Sequence, residues 1–250
     1  MADRDRACRD LRRLAAYHVT VELGERHGSR SREAPLERAR IVLDEDFCRE
    51  VAAYYQRAPR RRESPELLRS YEILKKNNLL LYRSVRAAGF AVEPWRGDGP
   101  PYRDSRDLRE RVTATRRLRV LATAAAHGPP SDTGPHPLRE PSGVRVRRYE
   151  FLHNDLFRAV HDLFGHVMAG YGFGPAGELA ATRVQGRLYP AEAWPALFTE
   201  QIGQTCWFFY GPHRSVPAPR RPYPEQKVFA FPDSFLDAFA GLFRPEEDPG

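Results

Sequence analysis

Apolar residues recur at helical spacing along most of this chain. The clearest stretch is "ELLRSYEILKKNNLLLYRSVRAAG", residues 66–89, where apolar positions share one face and charged positions the other. This pattern predicts a long amphipathic helix. A serine followed by proline, at Ser64, predicts its start, and Gly89 predicts its end. Two earlier stretches, residues 5–19 and 43–58, have the same spacing and predict two further helices.

The alternating pattern typical of strands is short wherever it occurs. "FAVEPW", residues 90–95, and "VRVRRYEF", residues 144–151, are predicted strands. Residues 126–143 are dense in proline and glycine and predict a long surface loop or linker. These patterns predict a mainly α fold with a few short strands. We divide the chain into an N-terminal helical segment, residues 1–65, and a helical domain, residues 66–250, that carries the candidate chemistry.

Composition narrows the class of protein further. The net charge is +7, and its positive residues are spread along the chain rather than gathered on one periodic face. That distribution favours an arginine-rich surface over a nucleic-acid site. Three separated cysteines predict a reduced, cytoplasmic protein without a sulfur-based metal site. No apolar run approaches the roughly 20 residues of a membrane span, and the charged N-terminus lacks a secretory signal. We expect no membrane partner.

The candidate chemistry begins in "VHDLFGHV", residues 160–167. Asn154 and Asp155 can cap the start of a helix that runs into this stretch. On that helix His161 shares one stripe with three apolar residues, Phe157, Phe164 and Met168. A lone histidine on an apolar face is more often a hydrogen-bonded core residue than a metal ligand.

A second histidine changes that balance. His166 lies five residues after His161, which is about 140° around an ideal α-helix and roughly 7.5 Å along it. The two imidazoles can therefore converge on one ion only if the helix departs from ideal geometry near His166. Gly165 makes such a departure inexpensive.

A metal site needs a third ligand, and Glu200 is the first candidate. The helical pattern "AEAWPALFTEQIGQTCWFF" places it on an inward stripe with Leu197, Gln204 and Trp207. A buried carboxylate is costly unless it is paired or binds a metal. Two imidazoles and one carboxylate form the facial triad of non-heme iron(II) oxygenases. Glu178, at a predicted helix start, is a reserve ligand, and with it the site could be dinuclear.

Simpler roles remain open for the acidic residues. Glu200 could pair with a buried arginine instead of a metal. Asp162 could orient His166 or cap a turn. Gln204, one turn after Glu200, could hold its carboxylate by a hydrogen bond or make an ordinary contact between helices.

"HDLFGHV" and "LFTEQIGQ" resemble the metal-binding segments of the tetrahydropterin-dependent aromatic amino acid hydroxylases. The resemblance covers roughly residues 145–211. It implies that His161, His166 and Glu200 bind iron and that the fold is similar to the hydroxylase catalytic core. The proline-rich lead-in of that family is absent here, as is a regulatory domain.

A second resemblance covers about residues 70–235. "FRAVHDLFGH", "FGPAGE", "FTEQIGQ", "YGPH" and "YPEQK" are similar to segments of a family met in phage, plasmid and bacterial proteins. This resemblance implies one functional region and says nothing about substrate. It places in that region five polar residues: Glu178, Gln204, His213, Gln226 and Lys227.

The leading hypothesis is an iron(II)-dependent oxygenase in which residues 66–250 form the catalytic domain. Its partners would be O₂ and a small substrate that could be amino-acid-derived or aromatic, with electrons from a tetrahydropterin or from the substrate itself. Asp162, Gln204 and Glu178 are the candidate catalytic residues around the metal. Arg147 and Arg148 could clamp a substrate carboxylate in bidentate fashion, although a solvated basic strand explains them as well. The remaining candidate substrate-binding residues are Tyr210 and His213.

Two other functions use the same features. A zinc hydrolase could hold Zn²⁺ with the same triad and activate a bound water, with Asp162 or Glu178 as its base. A non-enzymatic module of a mobile element could bind nucleic acid through its arginines. Metal content and O₂ consumption would separate these hypotheses.

Overall fold

The computed structural model describes residues 2–24, 39–123 and 135–245, and its fold is mainly helical. The α-helices follow one another in chain order as α1 (Ala2–Tyr17), α2 (Glu45–Arg57), α3 (Pro65–Ala87), α4 (Ser105–Thr115), α5 (His153–Val160), α6 (Pro175–Gly186), α7 (Trp194–Leu197), α8 (Gln204–Tyr210) and α9 (Asp233–Ala240). Among the described residues, no helix combines the length and the apolar character that crossing a bilayer requires.

Within the described residues three segments are π-helical: π1 (His18–Glu22), π2 (His161–Met168) and π3 (Phe198–Gly203). A π-helix is rare and bonds residue i to residue i+5, so each turn holds more residues than an α-helical turn. π2 continues directly from α5, and π3 lies between α7 and α8. The predicted ligands lie in these two segments, His161 and His166 in π2 and Glu200 in π3.

The strands in the described part of the chain are short and form three two-stranded sheets. They are β1 (Ala39–Ile41), β2 (Ala91–Trp95), β3 (Arg117–Leu121), β4 (Pro141–Val146), β5 (Tyr149–Leu152) and β6 (Phe243–Pro245). β2 and β3 pair in parallel, whereas β1 with β6 and β4 with β5 are antiparallel. The prediction of a mainly helical chain with a few short strands is confirmed at this level.

The helix boundaries predicted for α3 agree with the structure. The Ser64 hydroxyl accepts a hydrogen bond from the Leu67 amide at 3.1 Å. At the other end Gly89 takes the left-handed conformation, with φ of +85°, which a residue without a side chain adopts at little cost.

One predicted strand is instead a hairpin. "VRVRRYEF" divides into β4 and β5, with Val146 opposite Tyr149 and a turn at Arg147 and Arg148 between them. Arg147 has φ of +56°, the positive value that a tight hairpin turn demands at its first central position. Of the predicted loop at 126–143, residues 126–134 lie outside the described part, and β4 begins at Pro141.

The apolar side chains form two clusters. The larger one joins α1, α3, α5, π2 and the two parallel strands, and the smaller one joins α2, π3, α8 and α9. Ala7 and Leu11 of α1 share the larger cluster with Leu163 and Val167 of π2. Helices of the predicted N-terminal segment thus pack directly against the helices that carry the candidate site.

Candidate metal centre

π2 brings the two predicted histidine ligands together. Because residues five apart in a π-helix return to nearly the same face, His161 and His166 point in the same direction. Their Nε2 atoms lie 3.1 Å apart, and both side chains are buried. The predicted departure from ideal α-helical geometry is therefore a widening of the whole turn from His161 to Met168.

Gly165 lies inside this widened turn and also has a role in packing. A Cβ at this position would lie 2.6 Å from the Cβ of Ala181 in α6, which is closer than two carbons can pack. The absence of a side chain therefore lets α6 approach π2. Glu178 lies in the first turns of α6 and comes within reach of both imidazoles for that reason.

Glu178 completes a group of three possible ligands. Its Oε2 lies 3.1 Å from His161 Nε2, and its Oε1 lies 3.6 Å from His166 Nε2. For metal–ligand bonds of about 2.1 Å, two donor atoms at right angles about the ion are about 3.0 Å apart, and at the tetrahedral angle about 3.4 Å. The spacings of His161, His166 and Glu178 fit one small ion, and the three side chains could hold a metal.

Hydrogen bonds on the far side of each ring fix where the imidazoles carry their protons. His166 Nδ1 lies 2.9 Å from the Tyr171 carbonyl oxygen, which can only accept, so Nδ1 donates. His161 Nδ1 lies 2.9 Å from Gln185 Oε1 and donates in the same way. When the rings are neutral, both Nε2 atoms are left with lone pairs that face each other and a carboxylate. This arrangement calls for a positive charge at its centre.

The pKa values of His166 and Glu178 are shifted in the directions that favour a positive charge between them. Burial by itself would lower the pKa of His166, but the Glu178 carboxylate, with Asp162 nearby, outweighs burial and raises this pKa to about 9. Burial would likewise raise the pKa of Glu178, yet the neighbouring imidazoles of His161 and His166 lower it to about 2. A proton on His166 can therefore supply the positive charge when no metal does.

Glu200, the predicted third ligand, does not belong to this group. Its Oε1 accepts a hydrogen bond from the Tyr71 hydroxyl at 2.5 Å, and its Oε2 accepts one from Gln204 Nε2 at 2.9 Å. His136 Nε2 lies 3.0 Å from Oε1 and has no hydrogen-bond partner among the described residues. Of the two glutamates, it is therefore Glu178 that lies within reach of both histidines.

The other predicted residues on these helices are close to the group. The expected hydrogen bond between Gln204 and Glu200 is present. Asp162 lines the same pocket. We predicted that it orients an imidazole ring, but the hydrogen bonds to the imidazole Nδ1 atoms come from Tyr171 and Gln185 instead. Burial raises the pKa of Asp162.

A pocket of about 350 Å³ opens onto the three ligands. Its polar floor also includes Glu200, Gln201 and Gln204, and Gln201 Nε2 lies 3.3 Å from His161 Nε2. Aromatic and proline side chains make up much of the wall: Pro100, Pro101, Tyr102, Phe157, Phe173, Phe208, Phe209, Tyr223 and Pro224. The pocket can therefore enclose a small ligand that has an apolar part.

The predicted substrate-binding residues lie elsewhere. Arg147 and Arg148, in the β4–β5 turn, line a separate concavity of about 420 Å³ with Tyr149. His213 packs its ring against Trp207 at 5.6 Å between centroids, and Tyr210 packs on the smaller apolar cluster. None of the four is among the described residues that line the pocket at the histidines. The hairpin turn and the end of α8 carry these side chains away from it.

Two residues of the second resemblance have structural roles. Lys227 Nζ donates to the carbonyls of Tyr55, Gln56 and Ala58, which lie at the carboxyl end of α2. Gln226 Oε1 accepts a hydrogen bond from Arg139 Nε at 2.8 Å. Both side chains fasten the segment after α8 to its neighbours.

Several contact residues were not predicted, namely Tyr71, His136, Tyr171, Gln185 and Gln201. Gln185 could have been found, because it lies seven residues after Glu178 and hence on the same face of α6. Tyr171 acts through its backbone carbonyl, which leaves no trace in the sequence.

Comparisons with protein-family models, curated proteins and solved structures find no match to this chain. The resemblance to the aromatic amino acid hydroxylases therefore stays a prediction.

Proposed function

We propose that the protein is a non-heme iron(II)-dependent oxygenase acting on a small substrate. The observation that carries the proposal is the convergence of His161, His166 and Glu178, whose donor atoms lie 3.1 to 3.6 Å apart. Two imidazoles and one carboxylate with open positions are the ligand set typical of iron(II) oxygenases. The resemblance of "HDLFGHV" to the hydroxylase motif supports the same choice of metal.

The chain's own residues supply binding and orientation. His161, His166 and Glu178 would hold the ion, and Tyr171 and Gln185 keep the two imidazoles turned toward it. Iron(II) bound there would provide the activation of O₂ that no side chain can provide. A tetrahydropterin or the substrate itself would be the source of electrons.

The pocket walls would select and shield the substrate. The aromatic residues Phe157, Phe173 and Phe208 offer an apolar surface beside the polar floor. A substrate with an apolar portion would displace water from these rings and leave its reactive end near the ligands. The Glu200 carboxylate, held by Tyr71 and Gln204, lies on the floor and would form hydrogen bonds with polar groups of the substrate.

One observation favours a second candidate, a zinc hydrolase. With Glu178 as the proposed third ligand, Glu200 is a further carboxylate in the same pocket. A zinc site with two histidines and one glutamate uses such an extra carboxylate as the base that takes a proton from water.

Metal analysis with O₂ uptake tests the proposal. We expect protein purified without oxygen to contain about one iron per chain and the His161→Ala variant to lose it. Uptake of O₂ on adding a tetrahydropterin should occur in the wild type and disappear in the variant. An exposed substitution, Glu192→Ala, serves as the control. Zinc in place of iron, with no O₂ uptake, would favour the hydrolase, and unchanged iron content in His161→Ala would reject this ligand set.

A further inference from the structure

A chain of buried hydrogen bonds runs from α3 to the metal centre. Asn78 Nδ2 donates to the Leu74 carbonyl at 2.9 Å, and the Tyr189 hydroxyl donates to Asn78 Oδ1 at 2.6 Å. Gln185 Nε2 donates to the Tyr189 hydroxyl oxygen at 2.9 Å, and Gln185 Oε1 faces His161 Nδ1 at 2.9 Å. Asn78, Tyr189 and Gln185 are almost completely inaccessible to solvent. Bulk water therefore cannot readily replace any of these links.

The direction of every link follows from its ends. The Leu74 carbonyl can only accept, so Asn78 turns its nitrogen to Leu74 and its oxygen to Tyr189. The Tyr189 hydroxyl gives its single hydrogen to that oxygen and must accept from Gln185. The second hydrogen of the Gln185 amide points to the Phe157 carbonyl at 3.3 Å. The amide oxygen of Gln185 is thus left for His161, and His161 carries its proton on Nδ1.

A proton on His161 Nε2 instead of Nδ1 would prevent this histidine from binding a metal. Glu178 Oε2 lies 3.1 Å from His161 Nε2 and attracts a proton to that nitrogen. A proton on Nε2 would occupy the lone pair that a metal needs. The oxygen of Gln185 competes for the same proton on the opposite side of the ring, where it leaves Nε2 free.

We propose that Gln185, held by Tyr189 and Asn78, is a positioning residue that keeps His161 in its Nδ1-protonated tautomer. The lone pair of Nε2 is thereby turned toward Glu178 and His166 and is ready for a cation. The tautomer follows from the hydrogen bonds alone, whereas its consequence for metal binding rests on the proposed function. Gln185 does not face the ion and acts only through His161.

Nitrogen NMR of the metal-free protein tests the tautomer without any metal. The ring nitrogens of His161 have distinct ¹⁵N shifts according to which one is protonated. We expect protonated Nδ1 in the wild type, and loss of this preference toward Nε2 in Gln185→Leu. Tyr189→Phe, which removes only a hydroxyl, should shift the balance partly. Tyr82→Phe is the matched control, because Tyr82 is a buried tyrosine of α3 whose ring packs on Phe151.

Titration with iron(II) alone, under nitrogen, tests the consequence. Removing a group that orients a metal-bound histidine typically weakens binding about 10- to 100-fold. We expect a loss of that size in Gln185→Leu, a smaller loss in Tyr189→Phe and none in Tyr82→Phe. If Gln185→Leu does not fold, the iron(II) affinity of Tyr189→Phe tests the positioning role in its place.

The two proposals fail in different ways. A folded Gln185→Leu protein whose His161 keeps protonated Nδ1 overturns the positioning role, whatever the metal affinity. A tautomer change in the variants together with no iron binding by the wild type supports the positioning role and rejects the proposed function.

Discussion

Gly165 of π2 lies so close to Ala181 of α6 that a methyl group on Gly165 would come within 2.6 Å of the Ala181 side chain. This contact sets the distance between the helix that carries both histidines and the helix that carries Glu178. The position of the third ligand therefore depends on a residue that has no side chain.

Gly165→Ala should push the two helices apart. Overpacking of this kind costs about 1–3 kcal/mol of stability, and displacement of Glu178 should weaken binding of iron(II). We expect a lower urea midpoint together with a reduced iron affinity. Gly172→Ala is the control, since a Cβ there would meet only Ser105 Oγ at 3.7 Å. Equal behaviour of the two variants would show that the close contact is not needed.

The choice between the two glutamates can be tested directly. Glu178→Gln should weaken iron(II) binding by more than the roughly 100-fold upper effect of losing an orienting neighbour, because it removes a charged ligand. Glu200→Gln should leave affinity within about tenfold, because the Glu200 carboxylate is bound to Tyr71 and Gln204 instead. Calorimetric titration under nitrogen measures both. A larger loss of iron(II) affinity in Glu200→Gln than in Glu178→Gln would identify Glu200 as the ligand.

Asp155 should be a strong determinant of stability. Its buried carboxylate accepts hydrogen bonds from the amides of Thr123 and Leu152 and from the hydroxyls of Thr123 and Tyr149. Asp155→Ala would leave several of these donors unpaired at about 1–3 kcal/mol each, so we expect a loss of at least about 3 kcal/mol in urea unfolding. Asp98→Ala, at an exposed position, should change stability by less than about 0.5 kcal/mol.

His18 should make stability depend on pH. Its Nε2 lies 3.0 Å from the Leu188 carbonyl, and burial lowers the pKa of the imidazole below its usual value near 6.5. Below that pH the unfolded chain takes up a proton that the folded protein resists, so this contribution is complete above pH 6.5 and declines as pH falls.

Urea unfolding of wild type and His18→Gln at pH 7.5 and pH 5.0 measures this effect. Glutamine can donate to the same carbonyl but does not titrate. The stability advantage of the wild type should shrink on acidification. An advantage that is constant or larger at pH 5.0 would contradict the assignment of a neutral, buried His18.

Much of the helical framework is predictable from local sequence. The start of α3 at Ser64 and its end before Gly89 follow from capping preferences that need no tertiary contact. The hairpin at Arg147 was missed, because arginine in a left-handed turn carries none of the glycine or asparagine that usually marks such turns.

The sequence by itself determined where most helices lie, because helical periodicity and capping are local properties of the chain. It also singled out His161 and His166 as candidate ligands through their spacing. It supplied both glutamates as well, but it could not show which of them lies beside the histidines. Only the tertiary structure decided that π2 widens so that His161 and His166 share a face, and that Glu178 joins them. Glu178 comes close because Gly165 admits α6, and Glu200 stays away because Tyr71 and Gln204 bind its carboxylate. These contacts join residues far apart in sequence, and packing rather than pattern sets them.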